Sequence, residues 1–357
     1  MRDLRDLTRK SYREAVTLPD FVGERCVHTL IERASCQACV DACPQNAWVL
    51  NDELLGIDPS LCDGCNICVA ACPQGAIQAP LKPEFRDDDG ESSLALLTCE
   101  PSGVPTGAGE VPCLHAIGLN ALVSLYRDGV RSLVCCCADC DVCPRGAAPR
   151  LDVLVGNFNA LLRNRRLPEM QYQSVPTTEW SDSRTNRPPV PAGDAINRRQ
   201  FLQRATQAVI EGKTRLGTME TPESARFEPA GRILSSRSPT QMVPFLPHIE
   251  PTRCNACSAC LKLCPHTAIS FENNFVAYCI EPDRCSGCGI CMDVCDQDAI
   301  SVQAWAIPEL TRIPLTYGYC DHCGVPYVAT AANPSRNKLC RICNQRRHPQ
   351  LLYQVLD

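Results

Sequence analysis

One spacing of cysteines, repeated four times, constrains this chain more than any other feature. Cys36, Cys39 and Cys43, then Cys62, Cys65, Cys68 and Cys72, recur as Cys257, Cys260 and Cys264, then Cys285, Cys288, Cys291 and Cys295. The offset is 221 residues from Cys36 to Cys257 and 223 from Cys62 to Cys285. Each half therefore holds two copies of one unit. The unit ends in the same way each time: Cys43-Pro44-Gln45-Asn46-Ala47, Cys72-Pro73-Gln74-Gly75-Ala76-Ile77, Cys264-Pro265-His266-Thr267-Ala268-Ile269 and Cys295-Asp296-Gln297-Asp298-Ala299-Ile300.

The chain has 28 cysteines among 357 residues. Met1 to Lys10 is charged and does not read as a secretory leader. Dense cysteine without a leader points to metal binding in a reducing, cytoplasmic compartment rather than to a disulfide scaffold. No apolar run approaches the ~18 residues that a spanning helix needs, so the chain is not expected to span a membrane. A formal net charge of −5 gives no reason to expect nucleic-acid binding. No GxxxxGK[ST] phosphate loop is present, and Gly107-Ala108-Gly109 is too short a match to GxGxxG to count.

Cys254-x2-Cys257-x2-Cys260-x3-Cys264-Pro265 is a bacterial run of iron–sulfur ligands, as is Cys285-x2-Cys288-x2-Cys291-x3-Cys295, with Asp296 where proline is usual. Three thiolates on a tight loop cap three irons of one cubane, and the fourth reaches the other cluster. One [4Fe-4S] cluster would take Cys254, Cys257, Cys260 and Cys295, and its neighbour Cys285, Cys288, Cys291 and Cys264. Zinc, which favours two pairs of ligands, fits such runs poorly. Residues 250–306 resemble two-cluster bacterial ferredoxins, which implies the pseudo-twofold βαβ-βαβ fold.

The N-terminal half departs from this pattern, because Arg33 stands where the first cysteine belongs. Cys26 precedes Cys36 by ten residues, and the longer loop from Val27 to Ser35 would let it serve instead. The third cluster would then take Cys26, Cys36, Cys39 and Cys72, and the fourth Cys62, Cys65, Cys68 and Cys43. The alternative is that Cys26 is a buried structural thiol beside a three-iron cluster, or a site completed by His28 or water. Both ferredoxin-like segments are acidic: residues 24–80 hold seven Asp or Glu against two Arg, and residues 250–306 hold seven against three Arg or Lys. Such faces suit basic docking sites, although simple solubility also accounts for them.

Between the two halves, Ser93 to Cys99 and Val130 to Cys137 read as strands. Leu114, Ile117, Leu122, Leu125 and Tyr126 mark a helix face with Gly129 beyond it. Leu151, Leu154, Val155, Phe158, Leu161 and Leu162 mark another, ending near Pro168. Alternating strands and helices predict a small α/β domain, with cysteines converging at the rim where parallel strands end. Val111-Pro112-Cys113, a helix, a strand ending in Cys135, and then Cys140 together resemble the iron–sulfur delta subunit family of methyl-viologen-reducing hydrogenases, although Leu114 and His115 replace that family's usual SGR. The resemblance implies a [2Fe-2S] cluster, with Cys99, Cys113, Cys135 and Cys140 as candidate ligands. The alternative is a degenerate docking domain with inert buried thiols.

Cys320-x2-Cys323-Gly324 and Cys340-x2-Cys343 resemble the two knuckles of a zinc ribbon, with rubredoxin-type iron as the alternative. This segment is basic and suits docking on an acidic neighbour. Asn197-Arg198-Arg199-Gln200-Phe201-Leu202 resembles a twin-arginine motif, but it is internal and no apolar stretch follows it. A similar element precedes the ferredoxin domain in the ferredoxin-type accessory protein of periplasmic nitrate reductase.

The expected fold class is α+β. Its order is an N-terminal helical segment (1–22), a dicluster ferredoxin domain (23–85), a small α/β cysteine-rich domain (90–167), a linker (168–249) with one helix (194–212), a second dicluster domain (250–308) and a zinc-ribbon-like element (312–357). The expected function is electron transfer. Four [4Fe-4S] clusters would relay single electrons between redox partners such as a formate dehydrogenase, a hydrogenase, or a heterodisulfide-reductase-like or other flavin complex, within a hetero-oligomer. Cubanes saturated by four thiolates leave no open position for a substrate, so no catalytic residue is expected. The second reading is an accessory factor that delivers clusters or electrons to a molybdoenzyme.

Overall fold

A computed structural model describes residues 16–51, 55–87, 93–104, 109–143, 145, 150–185, 227–234, 237–272, 275–334 and 338–345. The helices expected over Arg2 to Ala15 and over 194–212 lie outside these residues, as does the Arg198-Arg199 motif.

The first ferredoxin-like domain is built from short elements. They are β1 (Asp20–Phe21), α1 (Val27–Leu30), α2 (Ala38–Ala42), β2 (Trp48–Leu50), β3 (Leu55–Ile57), α3 (Ile67–Ala71) and β4 (Ile77–Gln78). β1 pairs antiparallel with β4, and β2 with β3. Strands of two and three residues cannot stand alone. What joins them is a small core in which Cys39, Trp48, Cys68 and Ile77 are buried together. The domain therefore begins before residue 23, because the backbone of Asp20 and Phe21 completes a strand pair.

The middle domain follows the expected alternation. Its elements are β5 (Glu84–Asp87), β6 (Ser93–Cys99), β7 (Glu110–Val111), α4 (Leu119–Arg127), β8 (Val130–Cys136), α5 (Leu151–Asn164) and β9 (Gln171–Val175). The sheet order is β5-β6-β8-β9; β7, β8 and β9 run parallel to their neighbours and β5 antiparallel. Period-2 alternation divides β8 between two cores. Leu133 and Cys135 face α4 and α5, while Val134 and Cys136 face Trp180 on the opposite side. Leu122, Val123, Phe158 and Leu161 are fully buried, and Tyr126 meets Phe158 edge-on at 5.6 Å.

The stretch expected as linker is structured at both described ends. β9 extends the middle sheet, and α6 (Trp180–Thr185) inserts Trp180, which is 2% exposed. α7 (Ala230–Ile233) packs its buried Ala230 into the main middle-domain core. β10 (Val243–Ile249) pairs with β13 (Ile300–Ala306) as an outer strand of the second ferredoxin-like domain. The proline-rich composition misleads here. Pro244 and Pro247 lie in a strand paired on one side only, where a missing N–H is tolerated.

Between these strands lie α8 (Ala259–Lys262), β11 (Ile269–Phe271), β12 (Ala277–Ile280) and α9 (Ile290–Asp293). The C-terminal segment adds β14 (Arg312–Tyr319), β15 (Pro326–Thr330) and α10 (Arg341–Gln345). β14 pairs with β12, giving a four-stranded sheet β11-β12-β14-β15. The C-terminal strands thus continue the second ferredoxin-like domain. Among the described residues, no helix is long and apolar enough to cross a membrane.

The middle domain touches both ferredoxin-like domains. Gly118 abuts Ala70, where an added Cβ would fall 2.9 Å from the Ala70 Cα. Cys113 is buried with Ala42, Cys65 and Ile67. On the other side, Arg165 and Arg237 both bind Asp283, at 3.3 and 3.0 Å. The ferredoxin-like domains also meet directly, through Ser35 to Asp293 at 2.5 Å and His266 to Gln74 at 2.6 Å.

Candidate metal centres

The four copies of the cysteine unit share one backbone device. Three residues after Cys43, Cys72, Cys264 and Cys295 come Asn46, Gly75, Thr267 and Asp298, with φ of 51°, 57°, 52° and 43°. This left-handed turn redirects the next amide. Ala47, Ala76, Ala268 and Ala299 each donate N–H to the cysteine Sγ four residues earlier, at 3.3 Å in all four copies. Each alanine is at most 3% exposed, so no larger side chain fits there.

The second device lies earlier in three of the four runs. The positions two and four residues after Cys62, Cys254 and Cys285 are left-handed: Gly64 and Asn66, Ala256 and Ser258, Gly287 and Gly289. Alternating left- and right-handed residues turn successive N–H groups inward. Amides two residues on face the thiols of Cys36, Cys65, Cys254, Cys285 and Cys288.

The thiols gather into four quartets. Cys254, Cys257, Cys260 and Cys295 line one cavity, and Cys264, Cys285, Cys288 and Cys291 line another. Burial pushes Cys260 up to about 12, and the Cys254, Cys257 and Cys295 thiols add to the shift. Burial also pushes Cys285 up to about 12, helped by Cys288 and Cys264. In the first domain, burial raises Cys68 to about 11, with Cys43 and Cys62 contributing. Cys39 is pushed up to about 12 by burial and then by Cys72, Cys36 and Cys26. Cys26 is 7% exposed and its thiol interacts with Cys72, so it stands with Cys36, Cys39 and Cys72 despite its distance in sequence. It sits at the N-terminus of α1, facing the His28 and Thr29 amides. His28 Nε2 bonds instead to the Cys36 carbonyl, at 2.7 Å.

Such sites are costly for free thiolates and hold the thiols neutral until positive iron compensates the charge. Buried, mutually repelling sulfurs gain when iron neutralises them, and inward N–H groups stabilise the negative charge that remains. The residues present therefore fit [4Fe-4S] clusters, four thiolates each.

At the middle-domain rim, Cys137 Sγ lies 3.4 Å from Cys140 Sγ, which lies 3.3 Å from His115 Nε2. Ala138 N–H donates to Cys99 Sγ at 3.2 Å. The Cys137 thiol and this amide hold Cys99 below its ordinary pKa despite burial. Burial pushes Cys113 up to about 11, with Cys99 and Cys140 adding to the shift. Three of the four expected residues, Cys99, Cys113 and Cys140, are thus near one another. Cys135 shares a core with Cys99 and its thiol feels Cys99, but it is fully buried among apolar side chains, and Cys137, the first residue past β8, takes the rim position against Cys140. The apolar run through Cys137 hid where the strand ends. In the sequence His115 stands out only as a departure from SGR, with no role at the site. Its Nδ1 accepts the Arg150 amide at 3.3 Å, which leaves the proton on Nε2. His115 is therefore arranged to donate to the Cys140 sulfur rather than to ligate through Nε2.

In the C-terminal segment, Cys320, Cys323, Cys340 and Cys343 bring their sulfurs within 4.8 Å of one another, as four-thiolate metal binding requires. Cys343 N–H donates to Cys340 Sγ at 3.4 Å, and Gly324 is left-handed with φ of 68°. Cys279, on β12, joins none of these groups.

Comparison with known families agrees with the sulfur geometry. A 4Fe-4S binding domain family matches residues 24–46, another 4Fe-4S binding domain family matches 55–78, and the 4Fe-4S dicluster domain family matches 253–299. The first of these segments includes Cys26. No curated protein matches the chain. The chain thus carries ferredoxin-type iron–sulfur segments at both of its cysteine-repeat regions.

Proposed function

We propose that the protein is an electron-transfer subunit that holds four [4Fe-4S] clusters in single file. The observation that carries this reading is the succession of thiol quartets through the molecule. The Cys43/Cys62/Cys65/Cys68 quartet adjoins the middle domain, where Cys65 is buried beside Cys113. Cys39, Cys43, Cys68 and Cys72 share one small core, which links that quartet to Cys26/Cys36/Cys39/Cys72. Cys36 feels Cys288 across the domain interface, and Cys291 feels Cys260 within the second domain. The file ends at Cys254/Cys257/Cys260/Cys295. There the Cys254 carbonyl accepts hydrogen bonds from Thr330 and Asn333, both at 3.3 Å, on the ribbon side.

When bound, each cluster accepts and releases one electron. The chain's own part is to hold the sulfurs, shield them in part from water, and aim amides at them. At one end of the file, the thiols of Cys99, Cys113, Cys137 and Cys140 suit a [2Fe-2S] centre. At the other end, the ribbon quartet suits one zinc. Partners would be oxidoreductase or flavin complexes with basic docking faces, in a reducing compartment such as the cytoplasm.

The test is an anaerobic reductive titration of the full chain. The relay reading expects uptake of about four electrons by the cubanes, and repeated cycles without iron loss. Transfer of iron and sulfide to an apo-protein during those cycles would favour a delivery factor instead.

A further inference from the structure

The junction between the ferredoxin-like domains contains a polar side chain that the four-cluster file does not by itself require. Gln74 follows Cys72-Pro73 in the first domain and is 3% exposed. Its Oε1 lies 2.6 Å from His266 Nε2, and His266 follows Cys264-Pro265 in the second domain. The corresponding positions of two cluster motifs therefore meet across the interface. The ring of His266 is packed against Phe227, with centroids 5.7 Å apart. His266 donates and Gln74 Oε1 accepts, which turns the other end of the amide away from the imidazole.

That other end has no ordinary partner. Gln74 Nε2 is buried and makes no hydrogen bond, a costly state for an amide donor. Its side chain faces Cys288, and so does that of Ser286, whose Oγ is also buried without a partner. Two orphaned donors from two domains thus converge on one sulfur. The reverse amide orientation would set Oε1 against that sulfur, lone pairs against lone pairs, so a thiolate at Cys288 fixes the amide's sense.

Resting on the four-cluster reading, we infer that, once the cluster held by Cys264, Cys285, Cys288 and Cys291 is bound, Gln74 donates Nε2–H to Cys288 Sγ across the domain interface and raises that cluster's reduction potential. A hydrogen bond to a cluster sulfur stabilises the reduced, more negative state over the oxidised one. The first domain thereby tunes a cluster of the second, at the junction where Cys36 and Cys288 influence each other. Gln74 is a positioning and tuning residue; it ligates no iron.

The experiment is an EPR-monitored redox titration of the full-length, cluster-loaded protein and two variants, with iron counted in each. Gln74→Met keeps the length and volume without the donor. Ser286→Ala removes the second donor from the other domain. In both variants the same single component should become harder to reduce. At its wild-type midpoint the ratio of reduced to oxidised form should fall about tenfold for Gln74→Met, which is about 59 mV for one electron. Iron content and the other three components should not change. Four unchanged components in Gln74→Met at full iron would overturn the inference. So would a shift confined to a different component in each variant, because a mere packing defect at Gln74 would disturb the adjoining Cys72 cluster instead. A wild-type protein that lacks four one-electron components would overturn the four-cluster reading itself, and that failure is visible before any variant is made.

Discussion

In the second ferredoxin-like domain, the loop after Cys254 carries its own geometry: Ala256 and Ser258 are both left-handed, and the amides turn in toward the sulfurs. The matching loop of the first domain has no such residues. Gln37 has φ of −122°, and Arg33 stands where the cysteine would be. Cys26 comes from the far side of α1 instead, and a helix start replaces the turn amides. Two chain paths thus bring four thiols together. The difference shows that the ligand set depends on where sulfurs end up, and only secondarily on their spacing in sequence. The domains also differ at their hairpins. β2–β3 is a lone pair, whereas β11–β12 is extended by β14 and β15.

The largest expected effect tests the first difference. Cys26→Ala should remove about one to four irons per chain, as Cys254→Ala should, while Cys136→Ala should leave the count unchanged. An intact iron count in Cys26→Ala would mean that the first domain closes its quartet without this residue. Chelation of the metal proposed at Cys320, Cys323, Cys340 and Cys343 tests the second difference. Amide exchange should accelerate at least about tenfold in β14 and β15 and spread to β12, while β2–β3 keeps its protection. Equal loosening of both hairpins would remove the distinction.

Smaller effects separate the two domains' contacts with the middle domain. Gly118→Ala pushes a methyl onto the Ala70 backbone, and Gly231→Ala places one 2.6 Å from the Asp283 carbonyl oxygen. Each should cost about 1–3 kcal/mol by overpacking in thermal unfolding, with exchange increasing in the first domain for Gly118→Ala and in the second for Gly231→Ala. The smallest effect is at the repeated left-handed position. Asp298→Gly relieves φ of 43° and should stabilise by less than about 1 kcal/mol, whereas Gly75→Ala should destabilise, because its Cβ would also meet the Phe227 ring.

Much of this was legible in the sequence because cysteine spacing is local. The three-thiol loops and the alternation of strand and helix in the middle domain follow from patterns within a few residues. What escaped was decided at long range. β10 hides in a proline-rich stretch because its pairing partners lie 51 to 63 residues further on, from Ile249 with Ile300 to Val243 with Ala306. Trp180 is buried by a sheet that no local pattern announces. Cys135 and Cys137 exchange roles because an apolar run does not mark where a strand leaves the core. The inter-domain contact of Gln74 with His266 spans 192 residues, and neither residue has a spacing that betrays it.

The most direct measurement is iron, acid-labile sulfide and zinc per chain on protein purified without oxygen. The account predicts at least about 16 iron and 16 sulfide with about one zinc, and about 18 of each if the middle-domain rim holds a [2Fe-2S] centre. Little iron and sulfide, with several zincs in their place, would contradict it.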